Sequence, residues 1–511
     1  MPKQLMQKLA LTLRTQVAVA VAALALAGPA LAQDTAELAA EVERGMALWN
    51  VPGMAVAVVS NEDVPFMRGF GNVGTGKAAA VDEHTLFAIA STTKAMVAAG
   101  ILMLADDGKL ELDDRVTRHI PELRFHNAAL TKQATLRDLL AHRTGLPSTD
   151  VWTFLQAVPL DEQIRLLEKV EQDAPARSRL IYQNTMYELA GLVIERVSGQ
   201  SWHAFLQDRL WRPLDMEETY GARGDIPEGS SHVLPYEFVN GELVQARWDF
   251  PADFADAAGS VWSSVHDMTR WAQFLLRGGV TEDGRRLLSE ASFEQMFEPH
   301  QLASEADFYP TTALTAPHWR TYGLGWFQQD FQGRMINFHT GSLSGLIAIM
   351  GLDRARDRAV IVLGNRDHAE MRHALLWYTM DETDGGQRRD WNQDVFDLYE
   401  KSRVKRLADR EEAESSRLPG TLPALALDAY AGTYRNPLLG DVSVVFADGA
   451  LTVRFARRAY ALRHWHLQTF QMTDERTDFR AFSHFLINGQ GKADSLIVFD
   501  QPFQRVPPET Q

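Results

Sequence analysis

The chain has 511 residues, 45% of them apolar and 23% charged, with a formal net charge of -16 and no cysteine. That length is too great for one hydrophobic core and implies two or three domains. The acid excess argues against nucleic acid as a partner, since phosphate binding needs a basic face; without cysteine there is no disulfide, thiol nucleophile, zinc-thiolate site or lipidated cysteine.

In chain order, the first segment reads as a targeting signal. Lys3, Lys8 and Arg14 accompany the apolar run VAVAVAALALA (17–27), and Ala30 and Ala32 form an A-x-A cleavage pattern. The run is too short to span a bilayer, so residues 1–32 are expected to be a cleaved secretory signal peptide. The mature protein is then periplasmic or secreted, with no stable membrane span. Residues 34–50 read as an amphipathic helix, and 53–60 and 64–71 as strands joined by a polar turn. From Thr85 to about Asp107 the chain is apolar on nearly all sides, which predicts a buried helix.

Residues 110–250 read as helices and loops. Three strand-like runs follow at 335–341, 345–352 and 359–365, then a closing helix over 367–381. Strands that open and close a unit with helices between them predict an α/β (α+β) domain over 33–385, an antiparallel sheet flanked by helices with an all-helical insertion. Residues 386–423 are charge-dense and read as a linker, in part helical. Beyond it the period becomes two. VSVVFADGALTVRF (442–455) reads as a hairpin around Asp448-Gly449, and 424–511 as a small antiparallel β-barrel.

Several patterns invite a chemical reading. GFGNVGTGKA (69–78) imitates phosphate-binding loops, but it does not open a helix and reads as a turn. His464 and His466 share a strand face without an evident third ligand, and no metal is expected there. Ser91 and Lys94 stand three positions apart in the apolar run, so a helix beginning at Ser91 would bring the amine to the hydroxyl. An ammonium group in such a helix needs a partner or a lowered pKa. Ser402 and Lys405 repeat the spacing in a charged stretch, without that context. Tyr182 and Asn184 precede a helical pattern, although Tyr434 and Asn436 repeat that spacing too. His339, Thr340 and Gly341 end a strand, where Gly341 would let a substrate backbone lie close.

Together these stretches resemble the serine β-lactamase and penicillin-binding-protein superfamily, in the branch of class C β-lactamases, DD-peptidases, D-aminopeptidases and esterases. Ser91-Thr92-Thr93-Lys94 matches S-x-x-K, Tyr182-Gln183-Asn184 matches Y-x-N, and His339-Thr340-Gly341 stands at the K-T-G position. LLAHRTGLP (139–147), AAGSVWSS (257–264) and YGLGWF (322–327) add to the likeness, which covers about residues 36–380. The tail resembles a lipocalin-like barrel. The resemblance implies an acyl-enzyme on Ser91, with Lys94 and Tyr182 as base and acid and Asn184 positioning the acyl side chain. It also implies an oxyanion hole from the backbone N–H groups of Ser91 and Ser342, and no metal or cofactor. The expected substrate is a small molecule or short peptide cleaved at an amide, a D-amino-acid-containing peptide or an ester bond. His339 replaces the lysine of class C β-lactamases at a position that helps bind a substrate carboxylate. A histidine there is expected to be partly charged at neutral pH, which weakens the expectation of strong β-lactamase activity. A β-lactamase proper and a penicillin-binding sensor without turnover remain alternatives.

Overall fold

The computed structural model describes residues 35–76, 79–382, 388–474, 477 and 479–507. The expected signal peptide (1–32) and the boundary expected at 385/386 lie outside the described residues. The first helix, α1, covers 35–49. The apolar runs then pair into one sheet. Its strands are β1 (Gly53–Val59), β2 (Phe66–Gly71), β3 (Gln301–Leu302), β4 (Arg320–Tyr322), β5 (Phe327–Phe331), β6 (Arg334–Leu343), β7 (Leu346–Asp353) and β8 (Arg358–Gly364). They lie in the order β2-β1-β8-β7-β6-β5-β4-β3, and every pair is antiparallel.

The period of two along these strands feeds two cores. Ala55, Ala57, Ala348, Met350, Ile361 and Leu363 point to one face of the sheet. Met54, Val56, Ile347, Ile349, Val360 and Val362 point to the other. A sheet buried on both faces explains why its central strands read as continuous apolar runs. The first core is completed by α2 (Thr93–Asp106), α3 (Asn184–Ser198) and α4 (Val265–Leu276). The second is completed by α1, by α5 (Met371–Met380), and by the opening turns of α6 (Trp391–Ser415).

One expectation is revised. The helix expected from Thr85 begins only at Thr93. Phe87-Ala88 instead forms a short ladder with Trp262-Ser263, and Ala90 takes a positive φ of 47° before a 3-10 turn over Ala90–Thr92. An apolar run cannot by its periodicity separate a buried strand from a buried helix. The segment expected as a part-helical linker carries α6, a helix of 25 residues. Its start is anchored on the first domain, where Trp391 and Val395 are buried and the Phe396 ring sits 5.2 Å from that of Trp49.

The C-terminal region is a closed eight-stranded antiparallel barrel running from Gly432–Asn436 to Gln501–Arg505, closed by the pairing of Tyr434 with Arg505. At its Asp448-Gly449 turn both residues have positive φ, 51° and 78°, as a two-residue hairpin loop of that type requires. The barrel docks on the helical insertion. Trp152 Nε1 donates to the Leu438 carbonyl at 2.9 Å, and Arg457 donates to the Thr153 carbonyl at 2.8 Å while lying over the Phe250 ring. No helix among the described residues is long and apolar enough to cross a membrane.

Candidate active site

α2 has no polar face: every residue from Thr93 to Leu104 is buried. Lys94 is 0% exposed, so its amine cannot reach water and must be satisfied inside. It donates to Ser91 Oγ at 3.0 Å, to Asn184 Oδ1 at 2.8 Å and to the Ala258 carbonyl at 2.6 Å. Burial lowers its pKa to about 7, against the opposing pull of the carboxylates of Asp256, Asp150 and Glu188. Ser91 lies in the 3-10 turn that runs into α2, with its side chain free of any capping role. At that depth a lysine can hold or release a proton near neutrality beside a serine hydroxyl.

The Tyr-Gln-Asn segment places two more groups there. Gln183 caps α3, its side chain accepting from the Thr185 N–H. That leaves the Asn184 amide free to accept from Lys94 and to donate to Asp150 Oδ1 at 3.0 Å. The Tyr182 ring lies 5.0 Å from Lys94 Nζ. Burial pushes the Tyr182 phenol well above its ordinary range, with its hydrogen bond to Ser91 working the other way.

β6 supplies the third element. β5 pairs with it only as far as Phe327 opposite Phe338, so from His339 onward that edge of β6 is not paired to β5 and faces the turn that carries Ser91. A Cβ on Gly341 would overlap the Ile89 carbonyl oxygen and stand 2.9 Å from the Ser91 nitrogen. Glycine is therefore required for the strand and the turn to touch. The backbone of Ser342 comes next along the same edge, and its side chain is exposed. Behind the strand, buried Arg372 donates to the Gly341 carbonyl and, at 2.8 Å, to Ser342 Oγ, and is held by Glu370 at 3.0 Å. Thr340 Oγ1 lies 2.6 Å from the Tyr309 hydroxyl.

His339 is not partly charged, as expected from sequence, but neutral. It is 1% exposed, and burial, with Lys94 nearby, lowers its pKa to about 3. Its Nδ1–H donates to the Thr340 carbonyl at 2.7 Å, which leaves Nε2 to accept from the Tyr322 hydroxyl at 3.0 Å. Both ring nitrogens are thus occupied by protein groups.

Ser91, Lys94, Tyr182, Asn184, His339, Thr340, Gly341 and Ser342 all meet in this one place. Sequence reasoning missed the groups behind them. The His142 ring lies against that of Tyr182, tilted by 37° with centroids 4.2 Å apart, and accepts the Gln183 N–H on Nδ1 at 3.1 Å. Burial, then Lys94, holds its pKa well below the ordinary value. Asp256 accepts the Ala258 N–H at 2.6 Å, fixing the loop whose carbonyl holds Lys94. Burial pushes Asp256 up to about 6 and holds Glu188 well above the ordinary carboxylate range. An apolar wall of Ala90, Leu343 and Phe250, extended by Phe154, Trp248 and Phe254, borders the nucleophile's turn. Arg372 carried a usable signal, a charged residue inside the apolar pattern of α5. His142 lies inside the LLAHRTGLP stretch, where nothing local singles it out, and Asp256 carried no signal.

The family model described as Beta-lactamase matches residues 38–384, and a domain of unknown function, DUF3471, matches residues 416–507. The unguisins hydrolase ungD' of Aspergillus campestris is 26% identical over 441 residues, 82% of this chain and 78% of its own. The octameric penicillin-binding protein homologue from Pyrococcus abyssi superposes with a TM-score of 0.61 at 20% identity, over 92% of this chain and 99% of that one. The D-amino acid amidase from Ochrobactrum anthropi superposes with a TM-score of 0.53 at 24% identity, over 65% of this chain and 90% of that one. With the family's model spanning both halves of the sheet and every residue of the Ser91 site, the chain belongs to the beta-lactamase family, as a hydrolase of the serine β-lactamase and penicillin-binding-protein superfamily.

Proposed function

We propose that the protein is an exported serine hydrolase that cleaves an amide, a D-amino-acid-containing peptide or an ester bond through an acyl-enzyme on Ser91. The observation that carries this reading is the position of Lys94 Nζ, 3.0 Å from Ser91 Oγ and buried so that its pKa falls to about 7. In this reading neutral Lys94 takes the Ser91 proton as Oγ attacks the carbonyl. Tyr182, hydrogen-bonded to Ser91 and held far from ionisation, gives its proton to the leaving group as the proton taken up by Lys94 replaces it, so it never stands as a phenolate base. The backbone N–H groups of Ser91 and Ser342, on facing segments, receive the developing oxyanion; losing one such donor costs on the order of 100- to 1000-fold in rate. Water then releases the acyl group.

Neutral His339 favours this reading over a β-lactamase proper. With both nitrogens engaged it offers a substrate carboxylate no cation. The aromatic wall beside Ser91 suits an apolar acyl side chain, and the name of the cited D-amino acid amidase agrees with amide chemistry. Export rests on the basic and apolar stretches before Ala32.

The test is a panel of nitrocefin, a D-Ala-D-Ala peptide, D-amino-acid amides and short-chain esters. Turnover of an amide or ester should exceed that of nitrocefin and vanish in Ser91→Ala, together with labelling by a fluorophosphonate. Unchanged turnover in that variant would sink the assignment. Mass spectrometry of the exported chain should find Gln33 at its N-terminus; an intact Met1 would remove the export claim.

A further inference from the structure

Outside the active site, three potential metal ligands converge from separate segments. His84 precedes the short strand Phe87-Ala88, Glu218 lies two residues before Tyr220, and His266 sits in the first turn of α4. One ligand atom from each lies within 4.8 Å of the other two. His84 Nδ1 is 2.9 Å from Glu218 Oε1, and His266 Nδ1 is 3.9 Å from Glu218 Oε2. Ligands about 2.0–2.1 Å from a tetrahedral zinc ion stand roughly 3.3 Å from one another, so these spacings bracket what such a site needs.

The surroundings are those of a held site. Ser264 Oγ donates to Glu218 Oε2 at 2.6 Å. Asp267, 1% exposed, lies 3.3 Å from His266 Nδ1 and is itself fixed by the Thr219 hydroxyl at 2.8 Å and the Glu218 N–H at 2.7 Å. His84 is about half exposed, which leaves a coordination position open to water. The barrel pair His464 and His466 differs. His464 Nε2 lies 2.9 Å from the Leu467 carbonyl and His466 Nδ1 accepts the Leu418 N–H at 3.2 Å.

We propose that His84, Glu218 and His266 form a binding site for a zinc-like divalent transition-metal ion, separate from the Ser91 machinery. Two imidazoles with one carboxylate select such an ion over magnesium or calcium, which prefer all-oxygen shells. The ion would cross-link the segments that feed the ladder pairing Phe87 with Ser263 and Ala88 with Trp262, the ladder from which Ser91's turn departs. Its role is to brace that ladder.

The experiment uses the full, untagged chain, stripped with a chelator and titrated calorimetrically with zinc chloride and, separately, magnesium chloride. Zinc should bind at a single equivalent and raise the thermal midpoint, and magnesium should give no binding heat. His84→Ala, His266→Ala and the near-isosteric Glu218→Gln should each weaken zinc binding by about tenfold or more, and His464→Ala should leave it unchanged. Failure of the wild-type chain to bind zinc would overturn the proposal. So would wild-type affinity in both His84→Ala and Glu218→Gln, the two least disruptive of the three ligand changes.

Discussion

The same four-residue spacing occurs twice in this chain, and its two copies behave oppositely. Ser402 and Lys405 lie on α6, both exposed. Ser91 and Lys94 lie at the head of a helix with no polar face, where the amine is sealed against Ser91, Asn184 and the Ala258 carbonyl. Spacing alone brings an amine near a hydroxyl in both places. Only burial makes the amine's proton negotiable near neutral pH, because desolvation penalises the ammonium form. In the proposed reading the pair serves as base and nucleophile because of what surrounds it.

Exchanging the two lysines for alanine should break the comparison most sharply. Lys94→Ala should lower kcat/KM by about a thousandfold or more, with the thermal midpoint checked to exclude unfolding. Lys405→Ala should leave both unchanged. Equal effects at the two positions would mean that the buried contacts carry no chemistry. The next largest effect tests the contact between β6 and the nucleophile's turn. Gly341→Ala puts a methyl group into the Ile89 carbonyl and against the Ser91 nitrogen, so the turn must shift. We expect about a hundredfold loss of kcat and a stability cost of about 1–3 kcal/mol, read from steady-state kinetics and a urea melt. Wild-type kcat in this variant would show that the position of Ser91 is not set by the strand.

Much of this was legible in the sequence. Short continuous apolar runs between turn residues marked β1, β7 and β8, and the Asp448-Gly449 turn marked the barrel hairpin, because run length and turn chemistry are local. The eight site residues were legible as motifs, and the fold brings them together. The entry to α2 was not, since Phe87 and Ala88 are as apolar as a helix core and their partners, Trp262 and Ser263, lie far away in sequence. The protonation of His339 was not legible either. It depends on burial beneath the sheet edge and on the nearby charge of Lys94, which a distant segment delivers. Asp256 looks like any loop acid until the Ala258 carbonyl is seen on Lys94.

Asp256 supports the smallest and most discriminating test of the comparison. If Lys94 is the base, activity rises with pH as its ammonium loses a proton, half-maximal near pH 7 in the free enzyme. The Asp256 carboxylate, ionised above about pH 6, favours the ammonium and holds that midpoint up, as do Asp150 and Glu188. His142 and His339, both held neutral, add no opposing titration there. Asp256→Asn keeps an oxygen for the Ala258 N–H, so the loop stays in place while the charge is lost. Lys94 should then release its proton more readily, and the acidic limb of kcat/KM should move down by about one pH unit, with little change at its plateau. A limb that stayed in place or moved up would exclude Lys94 as the titrating base. A limb far above pH 8 in both proteins would instead assign the proton to Tyr182.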